Sequence, residues 1–136
     1  SKIHIPIATG ERLHTIYEFE MLLKRGAVQF VRPDVCMCGG LTHAKKIAAL
    51  AEAHYVQVVP HNPLSAVLTA ACVQLCAAVH NIAVQEYPYD DDSGVKRDLV
   101  KAPLKRVFGR RDPAGATFWR QRAPRPPTAD FFRRMS

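Results

Sequence analysis

The 136-residue chain predicts an α/β fold of parallel strands, a partial (β/α)8 barrel of the TIM type. Three observations carry that expectation. Four short runs rich in Val and Ile recur, separated by stretches of helical periodicity, in units of about 25 residues. Each run delivers an ionisable side chain at its carboxyl end. The runs show little polar alternation, which predicts strands buried on both faces. Alternation of strand and helix in this manner is built by parallel strands joined through right-handed crossovers.

The first strand is expected over Ile3–Ile7, leading to Thr9, Gly10 and Glu11. A helix follows, with Ile16, Phe19, Leu22 and Leu23 on one face and Glu18, Glu20, Lys24 and Arg25 largely off it. Gly26 stands where a helix end favours a left-handed residue. The second strand, Val28–Val31, runs into Arg32, Pro33 and Asp34. Gly39 and Gly40 mark a turn, with Thr42 as the expected N-cap of a helix over His43–His54 whose apolar face is Ala44, Ile47, Ala48 and Ala51. The third strand, Val56–Val59, stops at Pro60, which cannot continue a central ladder, and His61 follows at once. Ser65 is placed to cap a nearly all-apolar helix to Val79, and the fourth strand is Ile82–Val84, leading to Gln85 and Glu86.

Net charge is +7, yet the excess is confined to one end. Up to Leu104, Lys and Arg balance Asp and Glu; from Lys105 onward arginines dominate, with Asp112 and Asp130 the only acids. A nucleic-acid footprint needs a basic folded face, and the body offers none, so no nucleic-acid partner is expected. The most apolar piece, Ala66–Val79, is too short to span a bilayer and carries Thr69 and Gln74, and no leader is visible. A cytoplasmic setting, with the four cysteines as thiols, is the expectation. Two domains of different character are drawn: residues 1–106, and an arginine- and proline-rich tail, 107–136, expected to be disordered or aberrant.

No glycine-rich phosphate loop follows any strand, which favours the barrel over an open nucleotide-binding sheet. In either architecture functional groups gather at the carboxyl ends of the strands, where Glu11, Asp34, His61 and Glu86 are placed. Arg12 and His14 follow the first of these and are candidates for substrate contact. Cys36, Cys38, Cys72 and Cys76 lack the paired spacing of structural zinc. Cys72 and Cys76 fall one helical turn apart and read as small buried hydrophobes. His4, His43, His54 and His80 read as surface or helix-end residues. Asn62 is expected to order the loop beside His61, and Asp90, Asp91 and Asp92 to form a solvated turn.

Pro6-Ile7-Ala8-Thr9-Gly10-Glu11-Arg12, Pro33-Asp34-Val35 with Gly39-Gly40-Leu41-Thr42, Lys46-Ile47-Ala48, Pro60-His61-Asn62-Pro63-Leu64 and Gln85-Glu86-Tyr87 together resemble the enolase superfamily. They are most similar to its mandelate racemase subgroup, and within it to galactonate-dehydratase-like sugar-acid dehydratases. The resemblance covers residues 3–107, and it implies the last four strands of the barrel. It further implies Glu11 as a Mg²⁺ ligand, His61 paired with Asp34 as the acid/base, and Glu86 in contact with substrate carboxylate or developing enolate. A divalent cation suits this chemistry because proton removal beside a carboxylate builds charge on oxygen, and Mg²⁺ takes hard oxygen donors such as a glutamate. The implied reaction is Mg²⁺-dependent dehydration of a galactonate-like sugar acid, with a small-molecule partner and the homo-oligomeric habit of the family.

The family's first two metal carboxylates, its earlier-strand base and its capping domain have no counterpart here. They are expected to precede Ser1, which makes this chain a C-terminal fragment. The alternatives are a racemase or cycloisomerase of the same superfamily, or a catalytically inactive half-barrel.

Overall fold

The computed structural model describes residues 4–63, 65–88 and 99–100, with the backbone of 110–111 and 117–118. Its elements are β1 (Ala8–Thr9), α1 (Ile16–Lys24), β2 (Phe30–Val31), α2 (Gly40–Ala53), β3 (Gln57–Val58), α3 (Ala66–Ala78), β4 (Arg110–Arg111) and β5 (Thr117–Phe118). β1, β2 and β3 pair in parallel in that order, each followed by a helix, as the alternation predicts. The expected fourth strand is reduced to one parallel bridge, Val58 to Ile82. Val58 N–H donates to Asn81 O at 2.8 Å and Ala83 N–H to Val58 O at 2.9 Å, so the segment lies beside β3 but is too short to count as a strand.

The first strand starts later than expected. Ile5 is 72% exposed, and regular pairing begins only where the Ile7 carbonyl accepts the N–H groups of Gln29 and Phe30. Helix α1 is held at its start by a capping box: Thr15 Oγ1 accepts Glu18 N–H, and Glu18 Oε2 accepts Thr15 N–H at 2.8 Å. It ends at Gly26 with φ +61°. Helix α2 begins earlier than the Thr42 cap predicts. Gly39 is its N-cap at φ +94°, with no side-chain cap, and a Cβ there would meet His43 Nδ1 at 2.5 Å. Ser65 caps α3 as expected, accepting Leu68 N–H at 3.3 Å.

Successive strand residues face opposite sides. Val31, Val58 and Ile82 point to the helices and are fully buried against Phe19, Ile47, Ala48, Leu68 and Leu75. In the other row Ala8 is exposed while Phe30 and Gln57 are half-buried. Burial on both faces is therefore not met along this row: the helices cover one side of the sheet, and no described element covers Ala8, Phe30 and Gln57 on the other. The triple aspartate and nearly all of the basic tail lie outside the described residues; within the tail, β4 and β5 pair antiparallel.

Candidate active site

Strand register brings the charged residues together. Phe30 pairs with Gln57, Val31 with Val58 and Asp34 with His61, each pair 27 residues apart (57 − 30, 58 − 31, 61 − 34). The ladder thus continues past both strands, through the buried Pro33 and Pro60, and His61 N–H donates to Pro33 O at 3.1 Å. Asp34 is 1% exposed; its Oδ1 accepts the N–H groups of Cys36 at 2.8 Å and Met37 at 3.3 Å. Its Oδ2 is left for His61 Nδ1, 3.2 Å away. A carboxylate oxygen accepts, so Nδ1 carries the proton and Nε2 is the nitrogen free to exchange one with a ligand.

Glu86 stands on the far side of His61. Its Oε2 accepts Arg32 Nη2 at 2.6 Å and the Asn62 N–H at 2.9 Å. Asn62 is wholly buried: its Nδ2 donates to Glu86 O at 2.9 Å and to Thr69 Oγ1 at 3.0 Å. It therefore ties the His61 loop both to α3 and to the segment bearing Glu86, a larger role than ordering its own loop.

Glu11 completes the row. Gly10 precedes it at φ +119°, buried so tightly that a Cβ would lie 2.7 Å from Phe19 Cε1. The Glu11 carboxyl is held below the ordinary carboxylate range by its own backbone N–H, with burial opposing and the charges of Arg32 and His61 assisting. Glu11, Asp34, His61 and Glu86 thus share one end of the sheet. Arg12 and His14 are exposed, and neither side chain is bonded to that group; His14 contributes its backbone N–H to Glu18 Oε2 in the α1 cap.

Arg32 is the residue that sequence reasoning passed over. It shares the inner face with Phe30, two residues before it, and that parity was the available signal. The thiols are set apart from this chemistry: burial pushes Cys38 up to about 11, Cys76 up to about 12, and Cys72 also upward. Cys36 is exposed, its thiol raised by partial burial and then by Asp34.

A Mg²⁺ ion does not fit the described residues on their own. No group of three or more His, Cys, Asp or Glu side chains among them is arranged to hold a metal, and the charge of Arg32 acts on Glu11. Mg²⁺ demands near-octahedral oxygen coordination, and Glu11 is one carboxylate.

A cavity of about 770 Å³ lies at the opposite, amino end of the strands, lined in part by Leu23, Gln29, His54, Tyr55, His80 and Asn81. It holds none of the groups just described. In β/α folds chemistry sits at the carboxyl ends, and the bonded residues outweigh this void in locating the site.

Known proteins are similar to this chain in sequence and fold. The family described as Enolase C-terminal domain-like matches residues 1–115. A protein of Variovorax paradoxus (strain S110) named D-galactonate dehydratase is 44% identical over 82 residues, 60% of this chain and 22% of that relative. The chain thus spans about a fifth of the length of the curated relatives it matches. The crystal structure of a mandelate racemase/muconate lactonizing enzyme-like protein from Rubrobacter xylanophilus DSM 9941 aligns over 85% of this chain and 28% of its own, with 40% identity and a TM-score of 0.69. That of an enolase from Agrobacterium radiobacter, bound to Na and L-malate, aligns over 60% of this chain and 20% of its own, with 42% identity and a TM-score of 0.58.

Proposed function

Because the chain belongs to the Enolase C-terminal domain-like family, we propose that residues 1–106 form the proton-donating side of a sugar-acid dehydratase site acting on an aldonate such as galactonate. The observation that carries the reading is the buried Asp34 held 3.2 Å from His61 Nδ1, beside Glu86. The naming of the Variovorax relative supports the substrate class. In this reading the proton α to the substrate carboxylate leaves to a base outside residues 4–88. The bond from the β-carbon to its hydroxyl oxygen then breaks, and the departing hydroxide takes the proton from His61 Nε2 and leaves as water. The enol that remains tautomerises to a 2-keto-3-deoxy acid. Asp34 holds the imidazole ring in orientation, and His61 as the proton donor makes a general-acid contribution of roughly 10²–10⁴-fold. Glu86 meets the substrate. Glu11 is one member of a Mg²⁺ ligand set that the described residues do not complete. Among the described residues no helix is long and apolar enough to cross a membrane.

A second reading, a catalytically inactive half-barrel, is favoured by the incompletely covered inner row at Ala8, Phe30 and Gln57. One experiment separates the two. Residues 4–88 are grafted into the Variovorax paradoxus relative, and the hybrid is assayed with galactonate and Mg²⁺. Formation of keto acid supports the dehydratase reading; loss of optical activity without keto acid would point to a racemase instead. A well-folded but inert hybrid would leave the inactive reading standing. Calorimetric titration of the unmodified chain with Mg²⁺ is expected to show no micromolar binding, and such binding would contradict the incomplete ligand set.

A further inference from the structure

We propose that Thr69 on α3 is a positioning residue for His61: through the buried Asn62 side chain it fixes the loop that holds the imidazole on Asp34. This deepens the dehydratase reading and rests on it for what the histidine does, whereas the contacts themselves involve no substrate. The need for such a hold arises in the backbone. Toward β2, alternate residues donate to the ladder: Gln57 N–H to Gln29 O at 3.2 Å, Val59 N–H to Val31 O at 2.9 Å and His61 N–H to Pro33 O at 3.1 Å. The next residue in that row is Pro63, which has no N–H, so the ladder ends at His61. Toward the fourth segment Val58 N–H donates to Asn81 O, and two residues on stands Pro60, again without a donor. Asn62 N–H is next in that row and takes Glu86 Oε2, a side chain in place of a backbone carbonyl. Two prolines thus strip ladder bonds from the segment just where the ring has to be held.

Side chains of α3 supply the hold. Thr69 is a hydroxyl on the buried face of a nearly all-apolar helix, where the other buried residues are Ala66, Leu68, Cys72 and Leu75. A polar group in that position is costly unless it is bonded. Its proton has a local acceptor in Ser65 O, 3.1 Å away on the preceding turn. That bond alone would leave the amide of Asn62 unpaired in the core. Instead Thr69 Oγ1 accepts Asn62 Nδ2 at 3.0 Å and lies 3.2 Å from Asn62 Oδ1. The other Nδ2 hydrogen goes to Glu86 O at 2.9 Å, so the wholly buried amide is pinned between α3 and the last strand segment. Three residues on from Thr69, Cys72 Sγ donates to His61 O at 3.9 Å. One face of α3 therefore grips two consecutive loop residues, and the ring of the first stands with Nδ1 3.2 Å from Asp34 Oδ2.

The test uses the full chain without substrate and reads side chains by NMR. With the ring neutral, the nitrogen spectrum of His61 is expected to show a protonated Nδ1 and a bare Nε2, well separated. Thr69→Val keeps the shape of the side chain and removes the hydroxyl. Exchange of the Asn62 side-chain amide should then quicken by roughly tenfold or more, as loss of a buried hydrogen bond implies. The two His61 nitrogens should draw together as the ring samples its other tautomer. The side-chain amide of Asn81, buried on Ala48 O and Val56 O, is expected to keep its protection. Thr69→Ser retains the hydroxyl and should restore both signals. A His61 spectrum unmoved by Thr69→Val, or Asn62 and Asn81 amides that quicken together, would overturn the proposal, because Thr69 would then serve the fold alone. If Thr69→Val does not fold, the unmodified chain decides: an Asn62 side-chain amide as protected as that of Asn81 supports the hold, and one as labile as that of the exposed Gln74 contradicts it. Keto-acid formation by the grafted hybrid bears on the dehydratase reading alone, so that reading can fail while the action of Thr69 on His61 stands.

Discussion

The two ends of the same short sheet are built on opposite terms. At the carboxyl end, Arg32, Asp34, His61, Asn62 and Glu86 are joined by bonds between neighbouring strand positions, and the charges of Arg32 and His61 act on Glu11. At the amino end a cavity of about 770 Å³ remains, and there the buried Asn81 works for the backbone alone: its Nδ2 donates to Ala48 O at 2.9 Å and Val56 O at 3.1 Å. That cavity is at the end with no converging acid/base pair. Space by itself does not mark the site. Register does, because parallel pairing carries each strand's last residues to the same rim and leaves each strand's first residues beside the ends of helices.

The contrast is open to direct challenge, and the largest effect is expected at His61. In the grafted enzyme, His61→Gln should lower keto-acid formation per folded molecule by roughly 10²–10⁴-fold, with the urea midpoint read beside it because the buried Asp34 Oδ2 also loses its imidazole partner. A variant that keeps full turnover would remove the chemistry from the carboxyl end. Asn81→Ala should behave in the opposite way. It leaves two buried carbonyls without their donor and is expected to cost about 2 kcal/mol of stability, read by urea denaturation, with turnover per folded molecule unchanged. A drop in turnover at full occupancy of the native state would mean that the amino end shares in the chemistry after all.

The smallest effect concerns the thiols. The folded values of Cys38 and Cys76, about 11 and about 12, lie above the ordinary thiol value of about 8.5. With folded values raised, their contribution is fully present below about pH 8.5, because the unfolded chain ionises first, and it is lost as pH rises toward 11–12. Urea midpoints at pH 8 and pH 10.5 should therefore differ, with the lower value at pH 10.5. Alkylation mapped by mass spectrometry at pH 8 should mark Cys36, at the carboxyl end, ahead of Cys38, Cys72 and Cys76.

Much of the scaffold was legible in the residues because it rests on local rules. The face of α2 at Ala44, Ile47, Ala48 and Ala51 follows from helical spacing, and all four are fully buried. Ser65 was recognisable as a cap from its place before an apolar run. Strand limits were less legible. The runs are two-residue pairings extended by loops and bridges, and where pairing starts depends on the neighbouring strand rather than on the run itself. Thr42 was set aside as a cap by Gly39 and Gly40, whose positive φ values let the chain turn three residues sooner.

By itself the sequence determined that strands and helices alternate, which helix faces are buried, and that one ionisable residue follows each strand, because periodicity and punctuation act within a few residues. Its motifs also named the family, which the match over residues 1–115 bears out. Only the tertiary structure decided that Arg32 meets Glu86, that Asn62 joins two strand ends to α3, and that Gly10 packs on Phe19. Those partners are fixed by strand order and register across separations such as the 54 residues between Arg32 and Glu86, and no local pattern reaches that far.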